Sequence, residues 1–221
     1  MTLDEIKSRV SELDADPGWY QNIDLKNGLN TKTRRLWGEE IDHPRARWEA
    51  VAPAFPQSFA GKSVLDVGCN AGFFSFVAAD RGASSVYGLD NNSKYIEQAK
   101  FANTVRGDNI RFQEGSATHL TSLKKTFDIT LCIGLLYHVS DIYKAIKDIS
   151  RVTTEMAIIE SAIYNDDDLK PLMRVASGDV ALPGIWHPNI SALKALFEIA
   201  GFSRTETLFK DGARGGIVAY K

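Results

Sequence analysis

The residues best placed to do chemistry begin in a single short run, Val64-Leu65-Asp66-Val67-Gly68-Cys69-Asn70-Ala71-Gly72. Gly68 and Gly72 allow a backbone to approach a ligand closely, and Asn70 between them tolerates a left-handed conformation. Asp66, just before the first glycine, can accept from a cationic amino group directly or through water. Asp90 closes the next apolar run, where a carboxylate can accept from both hydroxyls of a ribose. A glycine turn and a downstream acid together point to a nucleoside-containing ligand; the turn alone also fits a purely structural bend, and Asp90 also fits a helix cap. The dinucleotide pattern GxGxxG is not met, because Asn70 stands at its second glycine and Phe73 at its third. No GxxxxGK[ST] occurs either, which removes the P-loop reading.

A second group follows in Gly134-Leu135-Leu136-Tyr137-His138. His138 is a candidate base, since an imidazole takes a proton near neutral pH, and Tyr137 is placed to orient an acceptor. The structural alternative is that Tyr137 packs at a sheet edge and His138 caps the next helix. Glu160 has two readings as well, binding a substrate amine or hydroxyl, or plain solvation. Arg34, Arg35, Arg45, Arg47 and Arg214 form an anion-binding wall if the N-terminal segment folds over the site; surface ion pairs are their default.

Positioning these groups requires strands ending at one edge. The runs 63–68, 85–90, 110–115, 127–134 and 156–162 read as strands, separated by helical patterns over 71–82, from Asn92 or Ser93 to about Arg106, and from Asp141. Leu193, Leu196, Phe197 and Ala200 mark another helix, stopped by Gly201. The last two runs, turning at Asp211-Gly212, read as a hairpin. This alternation predicts an α/β, doubly wound, mainly parallel seven-stranded Rossmann-like sheet with a terminal antiparallel hairpin. Ahead of it, Thr2 and Glu5 have capping-box spacing and open a helix that Asp16-Pro17-Gly18 ends. An ordered arm with Trp19 and Tyr20 follows, then a helix from Pro44 to about Pro53. The expected division is a helical arm or cap over 1–60 and the ligand-binding domain over 61–221.

With 26 basic against 28 acidic residues, the chain carries a formal charge of −2 and has no bulk basic field for a phosphate backbone. No apolar stretch approaches the ~20 residues of a membrane helix, and the N-terminus lacks a signal-peptide core. A soluble, cytoplasmic protein without a membrane partner is therefore expected. Cys69 and Cys132 have no metal-binding spacing and read as reduced core thiols. Asp166, Asp167 and Asp168 read as a solvated charge run, and no metal site is assigned.

Taken together, VLDVGCNAG, Asp90, Gly115-Ser116-Ala117 and FDITLCIGLLYH resemble the class I S-adenosylmethionine-dependent methyltransferases over residues 60–221. GLLYHVSD, the Asn in GCNAG, NIDLKNGLNT (22–31) and WHPNISALKALFEIAGF (186–202) echo the tRNA wobble-uridine methyl- or carboxymethyltransferase-like branch. The resemblance implies S-adenosylmethionine as cofactor, with Asp66, Gly68, Asn70 and Gly72 at its amino acid end. It places Asp90 and Asn91 at the ribose, Ser116 and Ala117 at the adenine, and Ile133 and Leu135 beneath the sulfonium. It puts Arg214 and Tyr137 near the sulfonium, where a carboxylated cofactor variant would need a cation.

Transfer from a sulfonium is an in-line displacement that depends on positioning and exclusion of water, so a protein base is optional. The [DN]PP[YFW] run of amino-methylating DNA enzymes and the Pro-Cys of cytosine-C5 enzymes are both missing, as is a carboxylate cluster for a metal-dependent catechol-type enzyme. Metal-independent transfer to an oxygen or nitrogen of a small metabolite is the leading expectation, with residues 163–189 and the arm closing the pocket. A tRNA-modifying enzyme and a cofactor-binding protein without turnover are the alternatives. The sequence fixes no oligomeric state, a homodimer included.

Overall fold

The structure, a computed structural model, describes residues 1–15, 18–26, 28–31, 35–36, 39–40, 42–176 and 184–221. Its centre is one seven-stranded sheet. The strands are β1 (Ser63–Val67), β2 (Ser85–Asp90), β3 (Ile110–Glu114), β4 (Phe127–Ile133), β5 (Thr153–Ala162), β6 (Arg204–Asp211) and β7 (Arg214–Tyr220). They lie in the order β6-β7-β5-β4-β1-β2-β3; β1 to β5 run parallel, and β7 is antiparallel to both of its neighbours, β5 and β6. The reversal of order between β1 and β4 is a topological switch point, and ligands of open α/β sheets bind at such points beyond the strands' carboxyl ends.

Helices cover both faces, as continuous apolar strands require. On one face α1 (Leu3–Glu12), α2 (His43–Val51), α3 (Phe73–Asp80) and α4 (Ser93–Arg106) pack with the arm. On the other lie α5 (Ile142–Val152) and α6 (Ile190–Ile199). The expected boundaries hold closely, with physical reasons for the shifts. Helix α3 begins at Phe73 because Gly72, its N-cap, has a left-handed φ of 96°. β5 begins at Thr153 because that residue also ends α5, its amide and hydroxyl both donating to the Ile149 carbonyl. The hairpin contributes two strands to the sheet, with β7 seated against β5.

The arm belongs to the core. Trp19 is buried, its Nε1 donates to the Val10 carbonyl, and Ile23 and Leu25 sit in the same apolar cluster as Phe74 and Phe76. Arg106 of α4, whose side chain is only 2% exposed, fixes the arm from below. It donates to the Asp24 carbonyl at 2.5 Å and pairs with Asp80 and Asp108 at 2.7 and 2.6 Å. Asp16 and Pro17, the expected helix stop, lie outside the described residues. Thr2 and Glu5 do form the capping box.

Within 163–189, two short strands, Met173–Val175 and Trp186–Pro188, pair antiparallel. Trp186 Nε1 donates to the Ser140 carbonyl and the Ile185 amide to that of Tyr137, tying this segment to the end of β4. Of the three aspartates Asp167 is exposed, as expected of a solvated run, while Asp166 and Asp168 are held in place. Asp168 pairs with Lys210 at 2.5 Å and accepts from the Ile190 amide, while Asp166 accepts from Asn189. Both cysteines are buried and unbonded, and burial pushes both thiols well up. Among the described residues, no helix is long and apolar enough to cross a membrane, and no three His, Cys, Asp or Glu side chains gather as metal ligands.

Candidate active site

A cleft of about 900 Å³ opens beyond the carboxyl ends of β1, β2 and β4. One end is built from backbone turns. After β1 the chain enters the left-handed region at Gly68 (φ 74°) and again at Asn70 (φ 52°). The Gly68 and Cys69 amides both donate to the Leu89 carbonyl, clamping the turn to β2. That clamp aims the Asn70 amide at Asp90, whose Oδ2 accepts from it at 2.9 Å while Oδ1 accepts from Asn92 at 2.9 Å. Asp90 is thus fixed by two backbone amides and keeps lone pairs toward the cleft. Burial pushes its pKa up, and the amide hydrogen bonds oppose that rise. Asn91, Ser116 and Ala117 line the same end, and Ser116 caps the following turn by accepting from the Thr118 amide.

Ile133 and Leu135 also line the cleft, as do Tyr137 and His138. Asp66 and Gly72 are placed behind the lining. Asp66 is 1% exposed, and its carboxylate turns inward to accept from the Ser75 hydroxyl at 2.6 Å and the Ser75 amide, capping α3 from below. Burial raises its pKa to about 7. Gly72 is surrounded by Phe112 and Phe76, the nearest ring atom 2.7 Å from where a Cβ would stand. This glycine serves the turn and its packing.

The other end carries charge. Tyr137 is buried, and its hydroxyl accepts from Arg47 Nη2 at 3.3 Å. The Arg214 guanidinium lies 4.9 Å from the centre of the Tyr137 ring, and its Nε donates to Glu160 Oε1 at 2.6 Å. Glu160 is 1% exposed, so it is not solvated; Arg214 holds its Oε1, while its Oε2 has no partner among the described residues. Tyr20, from the arm, faces Arg47, Tyr137 and Arg214. His138 stacks beside Tyr137 with ring centres 4.1 Å apart, and partial burial followed by the charges of Arg47 and Arg214 lowers its pKa. It does not cap α5; Asp141 does, accepting from the Lys144 amide. Of the five arginines expected to form an anion-binding wall, Arg47 and Arg214 reach the cleft. Arg45 pairs with Asp42 on the surface, while Arg34 and the side chain of Arg35 lie outside the described residues.

The methyltransferase domain family model matches residues 58–202. The chain belongs to that family. Family and sheet order together make it a class I S-adenosylmethionine-dependent methyltransferase. It is 29% identical over 160 residues to the tRNA U34 carboxymethyltransferase of Campylobacter jejuni strain 81-176, covering 72% of this chain and 55% of that protein. To the tRNA U34 carboxymethyltransferase of Campylobacter concisus it is 32% identical over 151 residues, covering 66% of this chain and 51% of that one. The chain spans about half the length of the curated relatives it matches. Among solved structures, the N-terminal domain of EvdMO1 in the presence of SAH and D-fucose superimposes with a TM-score of 0.72 at 22% identity. That match covers 100% of this chain and 97% of the other, so the fold is shared from end to end.

Several lining residues of the methyltransferase carried no sequence signal: Tyr20 and Gln21 from the arm, Tyr95 from α4, and Thr118, Val139 and Ser140 from loops. Val139 and Ser140 lie in GLLYHVSD without a role assigned to them, the other four lie in no motif, and only the packing of the arm beneath α3 and α4 brings Tyr20 and Gln21 in.

Proposed function

We propose that the cleft binds S-adenosylmethionine along the carboxyl edge of the sheet and methylates an oxygen or nitrogen of a small metabolite that carries an acidic group. The observation carrying the cofactor's placement is Asp90, a carboxylate held by two backbone amides at the switch point with its remaining lone pairs open to the cleft. The residues fit the group: an acid for the ribose diol, Ser116 and Ala117 beside an apolar wall for the adenine, and Ile133 and Leu135 for the region around the sulfonium. When bound, the cofactor supplies an electrophilic methyl. The chain's own residues then position the acceptor and keep water out. His138 accepts a proton there, because burial first, and then the charges of Arg47 and Arg214, lower its pKa and keep the imidazole neutral at pH 7.

Arg47 and Arg214 favour an acidic acceptor. Glu160 offsets one of these two cations, and among the described residues no carboxylate pairs with Arg47, at the end where a sulfonium would lie. A like charge there is offset only by a ligand carrying an anion. That same observation favours a second reading, transfer from a carboxylated donor to a tRNA wobble uridine, which the names of the curated relatives also support. Supplying the pure protein with S-adenosylmethionine labelled in its methyl and, in a parallel reaction, with the carboxylated donor labelled in the carbon it transfers, each with separate metabolite and tRNA pools, separates them. Label in the acidic metabolite fraction is expected. Label only in tRNA, or tRNA binding that weakens steeply with salt, overturns the small-molecule reading. No label in either pool, with cofactor bound, leaves a binding protein without turnover.

A further inference from the structure

Gln21 stands where the arm meets the amino end of α3. It is 7% exposed, lines the cleft, and is held by its own backbone, whose carbonyl accepts from the Thr31 hydroxyl at 2.9 Å. Its side-chain Oε1 accepts from the Phe73 amide at 3.0 Å, the first helical residue of α3. Gly72, the N-cap, has no side chain to do this, so a residue more than fifty positions earlier in the chain caps the helix instead. Asp66 takes the Ser75 amide and hydroxyl from the other side. The donors of the helix start are therefore largely consumed inside the protein.

With Oε1 committed to Phe73, the amide nitrogen of Gln21 is the free half of the group, and no described residue accepts from it. That nitrogen is not sealed in the interior but reaches the cleft, where a ligand can supply its acceptor. The bond of Gln21 to the Phe73 amide places it at the start of α3, next to the motif turn in the cleft lining, while its chain neighbour Tyr20 faces Arg47 and Arg214. Resting on the cofactor reading above, we infer that Gln21 Nε2 donates to the carboxylate of the cofactor's amino acid tail, which makes the arm a part of the cofactor site. A donor selects the carboxylate and not the ammonium of that tail, and helix α3 adds a favourable dipole for an anion at this position.

Glu at this position keeps the acceptor that caps Phe73 and replaces the donor with an oxygen that repels a carboxylate. Isothermal titration of wild type and Gln21→Glu with S-adenosylhomocysteine and with 5′-methylthioadenosine, which lacks the tail, tests the assignment, alongside thermal melts without ligand. The expected result is an unchanged or higher melting temperature for Q21E, a 10- to 100-fold weaker affinity for S-adenosylhomocysteine, roughly one or two lost charge-assisted hydrogen bonds, and little change for methylthioadenosine. Gln21→Met, which loses both cap and donor, reads the same ligand ratio if Q21E fails to fold. Equal loss for both ligands assigns Gln21 a structural role only and overturns the inference. So does unchanged S-adenosylhomocysteine affinity. If wild type itself binds neither compound, the cofactor reading fails and the inference with it.

Discussion

The two ends of the cleft are built by different physics. At the neutral end, backbone turns after β1 and β2 fix one another: two amides donate to the Leu89 carbonyl, and two others donate to Asp90. Its members come from two short runs, 68–70 and 89–92, and three of the four hydrogen bonds come from the turn that goes left-handed at Gly68 and Asn70. At the cationic end, Tyr20, Arg47, Tyr137, Glu160 and Arg214 come from five separated segments and hold one another through side chains. Preorganised backbone is rigid and tolerant of side-chain change nearby. A side-chain network is adjustable and fails when one member is lost. The contrast suits a constant cofactor at one end and a particular acceptor at the other.

The largest effect expected from breaking the neutral end is on cofactor affinity. Asp90→Ala removes the proposed acceptor of both ribose hydroxyls, and calorimetry with S-adenosylhomocysteine is expected to show a loss of about 100-fold or more, from two charge-assisted hydrogen bonds of about 1.5–3 kcal/mol each. An affinity within a few fold of wild type contradicts the assignment.

Next comes the cationic end. Arg214→Met leaves the Glu160 carboxylate, with its Oε2 already unpartnered among the described residues, without its cation. The folded state is expected to lose about 3 kcal/mol by chemical denaturation, and the double variant with Glu160→Gln is expected to regain most of it. If single and double variants lose the same amount, the pair is not the coupled unit described. Cofactor affinity is expected to change much less than acceptor KM.

A smaller effect follows from His138. Because its pKa is lowered, the neutral base persists below the usual imidazole range, so the acid limb of kcat/KM is expected to lie below that of an ordinary imidazole. His138→Asn is expected to cost about 10- to 100-fold at neutral pH and to remove the acid limb. A wild-type profile falling already above pH 7 argues against it.

The smallest effect on binding belongs to Asp66, which touches no cleft surface. Its folded pKa of about 7 lies above the ordinary carboxylate value of 3.8, so the folded state holds a proton that the unfolded chain releases. This contribution to stability is complete below pH 3.8 and declines as pH rises to 7. Asp66→Asn is expected to flatten the slope of melting temperature against pH across that window while leaving S-adenosylhomocysteine affinity near wild type. An unchanged slope contradicts the inward-facing, protonated carboxyl.

The same contrast explains what was legible in the amino-acid sequence. The neutral end could be read because its signals are local: Gly68, Asn70 and Asp90 declare a turn and a strand end by type and spacing, and the strand and helix pattern follows from periodicity. Gly72 and Asp66 belong to the same motif yet face away, since spacing places a residue on a turn without saying which way its side chain points. The cationic end was half-legible. Arg47 and Arg214 were two of five arginines with no local feature to choose between them, and Glu160 reads equally as a substrate-binding or a solvated carboxylate, because only the pairing of β7 with β5 brings Arg214 beside it. Tyr20 and Gln21 were illegible because their place depends on Trp19 burying beneath α4, a tertiary contact.

A crystal structure with S-adenosylhomocysteine tests the central claim most directly. The account predicts both ribose hydroxyls within hydrogen-bond distance of the Asp90 carboxylate, with the adenine beside Ser116 and Ala117. A ribose lodged elsewhere in the cleft, with Asp90 still bonded only to its two amides, contradicts it.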